Sequence, residues 1–157
     1  MNAHFILEVQ ASYDCVADEY AAEFRDELID CFRIEDVDTG VHVLEEAELN
    51  ARLFIVLKGA VSVKLSKRAN RASEVKLATL RAGDVFGEYS AFDGERVSAA
   101  VYAAEPTRLA WVDKTALDTF LDAHGPQTAR RFYEGMIRML VGRLRRKDAE
   151  LDLITIG

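Results

Sequence analysis

Between residues 41 and 112 the apolar side chains fall in short runs, many with period two: Val41 and Val43, Leu53 to Leu57, Val61 with Val63 and Leu65, Val75 and Leu77, Val97 to Ala103, and Leu109 to Val112. Side chains of a strand alternate between its two faces, so these runs predict strands. Gly59 and Arg81-Ala82-Gly83-Asp84 interrupt them as turns, and the polar stretch Lys67 to Arg71 reads as a long hairpin tip. About seven or eight short strands follow one another with no helix-length segment among them, a pattern that closes as a sandwich or a roll.

On either side the period becomes helical. Val16, Tyr20, Phe24, Leu28 and Phe32 recur every four residues with acidic residues between them, which predicts an amphipathic helix from Ser12, its N-cap, to about Phe32. Cys15 and Cys31 fall in that helix, about 24 Å apart, too far for a mutual disulfide. After the strands, Asp113 caps a short helix carrying Leu117, Phe120 and Leu121 and closed by His124-Gly125. Pro126 then opens a long last helix from its first position. In that helix Ile137, Leu144 and Leu151 are spaced by sevens, and Leu140, Lys147 and Ile154 form a second series. This is a weak coiled-coil seam, which dimerisation through residues 127 to 151 or packing on the chain's own sheet would each explain. The expected organisation is one domain over 1–157, with an N-terminal helical part at 1–40, a roll at 41–112 and C-terminal helices at 113–157.

Composition narrows the function classes. Apolar runs such as Leu53 to Leu57 stay far below the roughly 18 residues that cross a bilayer, and Met1 to His4 lacks the basic start of a secretory signal. A cytoplasmic protein without a membrane partner is expected. The net charge of −7 conceals 14 acidic and 2 basic residues in the first 50, a balance of −12, against +5 in the remainder. Overall acidity argues against non-specific nucleic-acid binding. The three histidines, His4, His42 and His124, are scattered, and neither a metal-ligand cluster nor a Ser/His/Asp set emerges from the spacing, so catalysis and a cofactor are not expected.

One stretch carries chemistry: Gly83-Asp84-Val85-Phe86-Gly87-Glu88-Tyr89-Ser90-Ala91-Phe92-Asp93-Gly94-Glu95-Arg96-Val97-Ser98-Ala99-Ala100-Val101. It is a glycine turn, a short helix-compatible segment, a second glycine turn and a strand. Backbone amides beside such a glycine, together with an arginine returning about eight residues later, could surround an anion. Here the sequence resembles the cyclic-nucleotide-binding domain family, the sensor module of the catabolite activator protein, protein kinase A regulatory subunits and gated channels. The resemblance runs from about Phe24 to Leu151 and rests on Leu53 to Val63, similar to the family's strand-Gly-strand segment, and on Gly83-Asp84-Val85-Phe86-Gly87-Glu88, similar to the opening of its phosphate-binding cassette. It implies an eight-stranded β-roll flanked by N-terminal helices and a long C-terminal helix.

The resemblance also implies roles. Phe86 and Gly87 would bring backbone to a cyclic phosphate, Glu88 would accept a hydrogen bond from the ribose 2′-hydroxyl, and Tyr89 would belong to the pocket wall. The family follows with an arginine for the phosphate, then a small residue and alanine. In this chain Val97 takes the arginine position and Arg96 precedes it, with Ser98 and Ala99 following in register. Either a shift of one residue brings Arg96 to the phosphate, or Arg96 faces solvent and the pocket has lost its phosphate partner. Arg143 and Leu144 on the last helix are candidates to cover the base.

Two functions follow. The first is a stand-alone sensor that binds a cyclic nucleotide (cAMP or cGMP) or a similar small anion and signals to an effector protein in trans through movement of its last helix. The second is a degenerate domain that no longer binds nucleotide and serves as a protein-interaction module. Relatives of the catabolite activator type carry a winged helix-turn-helix after the long helix; here about six residues follow Leu151, so DNA binding is not expected.

Overall fold

The computed structural model describes residues 28–67 and 70–155. Eight strands are formed: β1 (Arg33–Val37), β2 (His42–Leu44), β3 (Arg52–Lys58), β4 (Ala60–Leu65), β5 (Val75–Arg81), β6 (Val85–Phe86), β7 (Ala100–Ala103) and β8 (Thr107–Asp113). A short helix α1 (Glu88–Asp93) lies between β6 and β7, and α2 (Lys114–Ala123) and α3 (Pro126–Thr155) follow β8. The strands make two four-stranded sheets, β1-β8-β3-β6 and β2-β7-β4-β5, with antiparallel neighbours throughout. This is the mainly β roll with a long C-terminal helix that the sequence predicts.

The sheets face each other across Val37, Phe54, Val56, Phe86, Leu109 of one and Leu44, Val61, Val101, Ala103 of the other. A second core lies on the outer face of the first sheet, where Leu53, Ile55, Leu57, Ala110 and Val112 meet Leu117, Phe120 and Leu121 of α2 and Phe132 and Met136 of α3. β3 serves both cores. Its odd-numbered residues enter one and its even-numbered residues the other, and a strand buried on both faces carries an unbroken apolar run in place of an alternating one.

The roll begins earlier than residue 41. β1 pairs with β8 from Arg33↔Trp111 to Val37↔Thr107, and four of its five residues are exposed. It is an edge strand held partly by charge, with Arg108 Nε and Nη2 each 2.8 Å from the Asp36 carboxylate, so it lacks the apolar alternation that marks the inner strands. The run Val97 to Ala103 is likewise a strand only from Ala100; residues 96–99 approach it as loop. The helix expected from Ser12 lies outside the described residues, Cys15 included, except for a helical turn at 28–30 whose Leu28 and Ile29 are buried.

The C-terminal part follows the sequence closely. Asp113 stands in extended conformation immediately before α2, and its carboxylate takes Arg52 Nε at 3.3 Å without capping the helix. Gly125 (φ +84°) breaks the chain between α2 and α3, and Pro126 is the first residue of α3. A helix of 30 residues spans about 45 Å. Phe132 and Met136, with Ala129, Tyr133 and Met139 beside them, anchor its first half on the second core; beyond Met139 no described residue is buried. The free half passes over the end of the roll where β6 leads into α1.

Candidate functional site

β6 sets the position of the cassette. Phe86 pairs with Phe54 of β3, and the two rings stack with centroids 4.8 Å apart and planes 6° from parallel. At Gly87 the chain turns with φ +78°, and a Cβ there would lie 2.6 Å from the Arg52 carbonyl oxygen. Left-handed geometry and that close approach both require glycine. Asn50 secures the turn: its Nδ2 donates to the carbonyl oxygens of Arg52 (2.8 Å) and Gly87 (3.1 Å) and to Ser90 Oγ (3.1 Å), while Oδ1 accepts the Arg52 amide at 3.0 Å. Nothing in the sequence marks Asn50 beyond its place in a turn, because its partners lie 37 and 40 residues away.

Glu88 opens α1 and is 3% exposed. Arg143 of α3 reaches it, one guanidinium nitrogen donating to Glu88 Oε1 and another to the Val85 carbonyl oxygen. Burial raises the Glu88 carboxyl above the ordinary glutamate value, and the charge and hydrogen bond of Arg143 pull it down without cancelling that effect.

The far arm of the cassette is fixed to the turn between β2 and β3. Val97 N–H donates to the Glu48 carbonyl at 2.9 Å, Ala47 N–H donates to the Val97 carbonyl at 2.8 Å, and Arg96 Nη1 donates to the Ala47 carbonyl at 2.8 Å. Ala47 adopts φ +72°, a left-handed conformation in a residue other than glycine, within this ladder. The Val97 side chain is 7% exposed and joins the core between the sheets. Arg96 is exposed and directed along the outside. No one-residue shift brings it inward, because the backbone of Val97 is already paired in register.

Between this cassette and α3 lies a cavity of about 820 Å³, within the range of small-molecule sites. Phe86, Gly87, Glu88 and Tyr89 line it from one arm, Val97, Ser98 and Ala99 from the other, and Arg143 and Leu144 from the helix. Of the residues singled out in the sequence, Arg96 alone is not among those lining it. Tyr89 is 58% exposed and Leu144 62%, so both stand at the mouth. Arg146 and Lys147 of α3 also line the cavity, with Glu150 2.7 Å from Lys147 Nζ.

The family model described as the cyclic nucleotide-binding domain matches residues 34–124. Cyclic GMP-binding protein C of Dictyostelium discoideum is 32% identical over 103 residues, 66% of this chain but 4% of that protein. Human cGMP-dependent protein kinase 2 is 32% identical over 78 residues, half of this chain and 10% of the kinase. The chain therefore spans a small part of these relatives. A solved cyclic nucleotide-binding domain from Methylobacillus flagellatus superposes with a TM-score of 0.80 at 22% identity, covering 90% of this chain and 79% of that one. The catabolite activator protein of Thermus thermophilus gives 0.70 at 26% identity, covering 90% and 63%. With the roll, the glycine turn before Glu88 and the long helix over the cavity all in place, the chain belongs to the cyclic nucleotide-binding domain family.

Proposed function

We propose that the domain is a regulatory sensor that takes a cyclic nucleotide, cyclic GMP or cyclic AMP, into the cavity between cassette and α3. The observation that carries this reading is a buried carboxylate, Glu88, at the wall of a cavity of about 820 Å³, next to Gly87 and across from Ser98 and Ala99. A buried carboxylate accepts a charge-assisted hydrogen bond from a sugar hydroxyl, and small residues at 98 and 99 leave room for a ring system. Kinship with proteins named for cyclic GMP supports the same ligand class.

Signalling follows from where the helix is attached. α3 is anchored through Phe132 and Met136, while its distal half meets the cassette through Arg143. A ligand that binds one arrangement of this half better than another shifts the equilibrium between them, and an effector that reads the helix senses the shift. Ile137, Val141, Leu144 and Leu151 stand 58%, 43%, 62% and 62% exposed along this helix, and the sevenfold spacing of three of them fits a second copy of the chain. The domain would then work as a dimer. Among the described residues no helix is long and apolar enough to cross a membrane.

Titration calorimetry with cyclic GMP and with cyclic AMP tests the reading. Saturable heat at micromolar ligand, lost or cut at least tenfold in Glu88→Ala, is the expected result. A second reading rests on the aliphatic Val97 at the family's arginine position and on the outward Arg96: a scaffold that binds protein and no nucleotide. Absence of heat with both nucleotides would leave that one.

A further inference from the structure

The cavity has an uneven distribution of charge. The roll contributes two carboxylates, Asp84 and Glu88, whereas α3 contributes Glu150, which pairs with Lys147, and every cation that lines the cavity among the described residues, Arg143, Arg146 and Lys147. Val97 fills its own place with an aliphatic side chain, and Arg96 is committed to Ala47. A phosphate entering here therefore finds no guanidinium on the roll. From this we infer that Arg143 is the phosphate partner, delivered by the C-terminal helix, and that ligand binding exchanges its present partner Glu88 for the phosphate.

This inference rests on the proposed nucleotide site and adds the means by which the anion is read. One sugar ring carries both the 2′-hydroxyl and the cyclic phosphate, so a guanidinium in contact with the hydroxyl's acceptor lies a side-chain rotation from the phosphate. In the exchange Glu88 gives up Arg143 and accepts the ribose hydroxyl, while Arg143 gives up Glu88 and takes an anion that suits its planar fork. The number of buried charges without a partner does not rise. Arg146, one turn further on the same helix and without an ion pair among the described residues, is placed to add a second contact. Phosphate recognition and helix position are thereby one event: the distal half of α3 cannot leave the cavity without taking the phosphate's cation with it.

The test compares nucleotide with nucleoside in the full chain, by calorimetry or competition, using cyclic GMP against guanosine and cyclic AMP against adenosine. Wild type is expected to favour the cyclic phosphate, and Arg143→Ala to lose about 30-fold or more of the nucleotide affinity while nucleoside affinity does not fall, the scale set by truncating one member of a buried charge pair. Arg143→Lys, which keeps the charge without the fork, is expected to fall between, and Arg143→Gln to behave as the alanine variant; both remain informative if the alanine variant folds poorly. An Arg143→Ala or Arg143→Gln protein that binds the nucleotide as well as wild type, or better, makes Arg143 a latch on Glu88 and overturns the inference while the sensor reading stands. Wild-type protein that binds neither nucleotide defeats the sensor reading and this inference together.

Discussion

Arg143 and Glu88, 55 residues apart in sequence, are paired across the cavity so that the C-terminal helix closes on the first residue of α1. The pair is unequal: the glutamate side chain is 4% exposed and the arginine side chain 19%. Solvent thus stabilises the arginine's charge more than the glutamate's. Removing the arginine would leave a buried carboxylate alone, whereas removing the carboxylate returns a guanidinium to water, and the two losses differ in kind.

That asymmetry fixes a pH dependence. The folded-state pKa of Glu88 is raised, chiefly by burial, so between the unfolded and folded values the native state holds more protons than the unfolded one. Its contribution to stability is fully present below the unfolded value and is lost as pH rises through the folded value. Arg143, Arg146, Lys147, Asp84 and Glu150 face the same cavity. Glu88→Gln removes the titration and leaves the shape. The melting temperature of wild type relative to Glu88→Gln is expected to decline as pH is raised from about 4 to 7; a difference that is flat, or that grows, contradicts the assignment.

Gly87→Ala tests the turn that aims the cassette. The variant must hold an L side chain at φ +78° and move a Cβ off the Arg52 carbonyl, 2.6 Å away on a central strand that cannot give. A loss of about 2 kcal/mol or more is expected, or a fall of roughly 4–8 °C in melting temperature. A variant within a degree of wild type would show that β3 yields at this point.

Asn50→Ala removes the donor that joins the Arg52 and Gly87 carbonyls to Ser90 Oγ. About 1–3 kcal/mol of stability is expected to go with it, since the contacts to the Gly87 carbonyl and Ser90 Oγ are partly buried and the remaining donor to that carbonyl, Ser90 Oγ, stands 3.4 Å away. Protection of the α1 amides against hydrogen exchange should fall first. Unchanged exchange at 88–94 would mean that the turn holds its form without Asn50.

Arg96→Ala separates the two ways of reading the cassette arginine. The side chain donates to Ala47 from the outside and does not line the cavity, so cyclic-nucleotide affinity is expected to stay within about twofold and stability to drop by about 0.5–1.5 kcal/mol. A tenfold loss of affinity in calorimetry would return Arg96 to the site.

The legible and the illegible parts of this molecule divide by the range of the interactions that decide them. Leu53 to Leu57, Gly125-Pro126 and the helix bearing Leu117, Phe120 and Leu121 are settled by near neighbours, and they fold as the sequence predicts. β1 escaped because an exposed edge strand in which Arg33, Glu35 and Asp36 leave only Ile34 and Val37 apolar, three residues apart, has no period-two signal. Gly87 and Glu88 stood out through the resemblance of a contiguous segment. The direction of Arg96 depends on a carbonyl 49 residues away, and the aim of Arg143 on the rotation of a helix about its own axis, which no local pattern specifies. Arg146 and Lys147 escaped for the same reason, since a basic helix face looks alike in sequence whether it meets water or a cavity.

The seam on α3 yields the last prediction. Ile137, Leu144 and Leu151 are each more than half exposed, and Val141 lies between the first two at helical spacing. An exposed apolar stripe along a helix is costly in water, and burying each of these side chains is worth roughly 1.5–3 kcal/mol. Two copies packed along this face in parallel would bring each protomer's stripe against its partner's in register. Light scattering at tens of micromolar is expected to give twice the chain mass, and Ile137→Asp with Leu151→Asp to give the monomer mass with the roll intact, because neither residue belongs to the core. Leu144 is left untouched in this test, since it also stands at the mouth of the cavity and its loss would confound dimerisation with binding. A monomeric wild type at these concentrations would remove the second copy from the mechanism and leave the stripe for the effector.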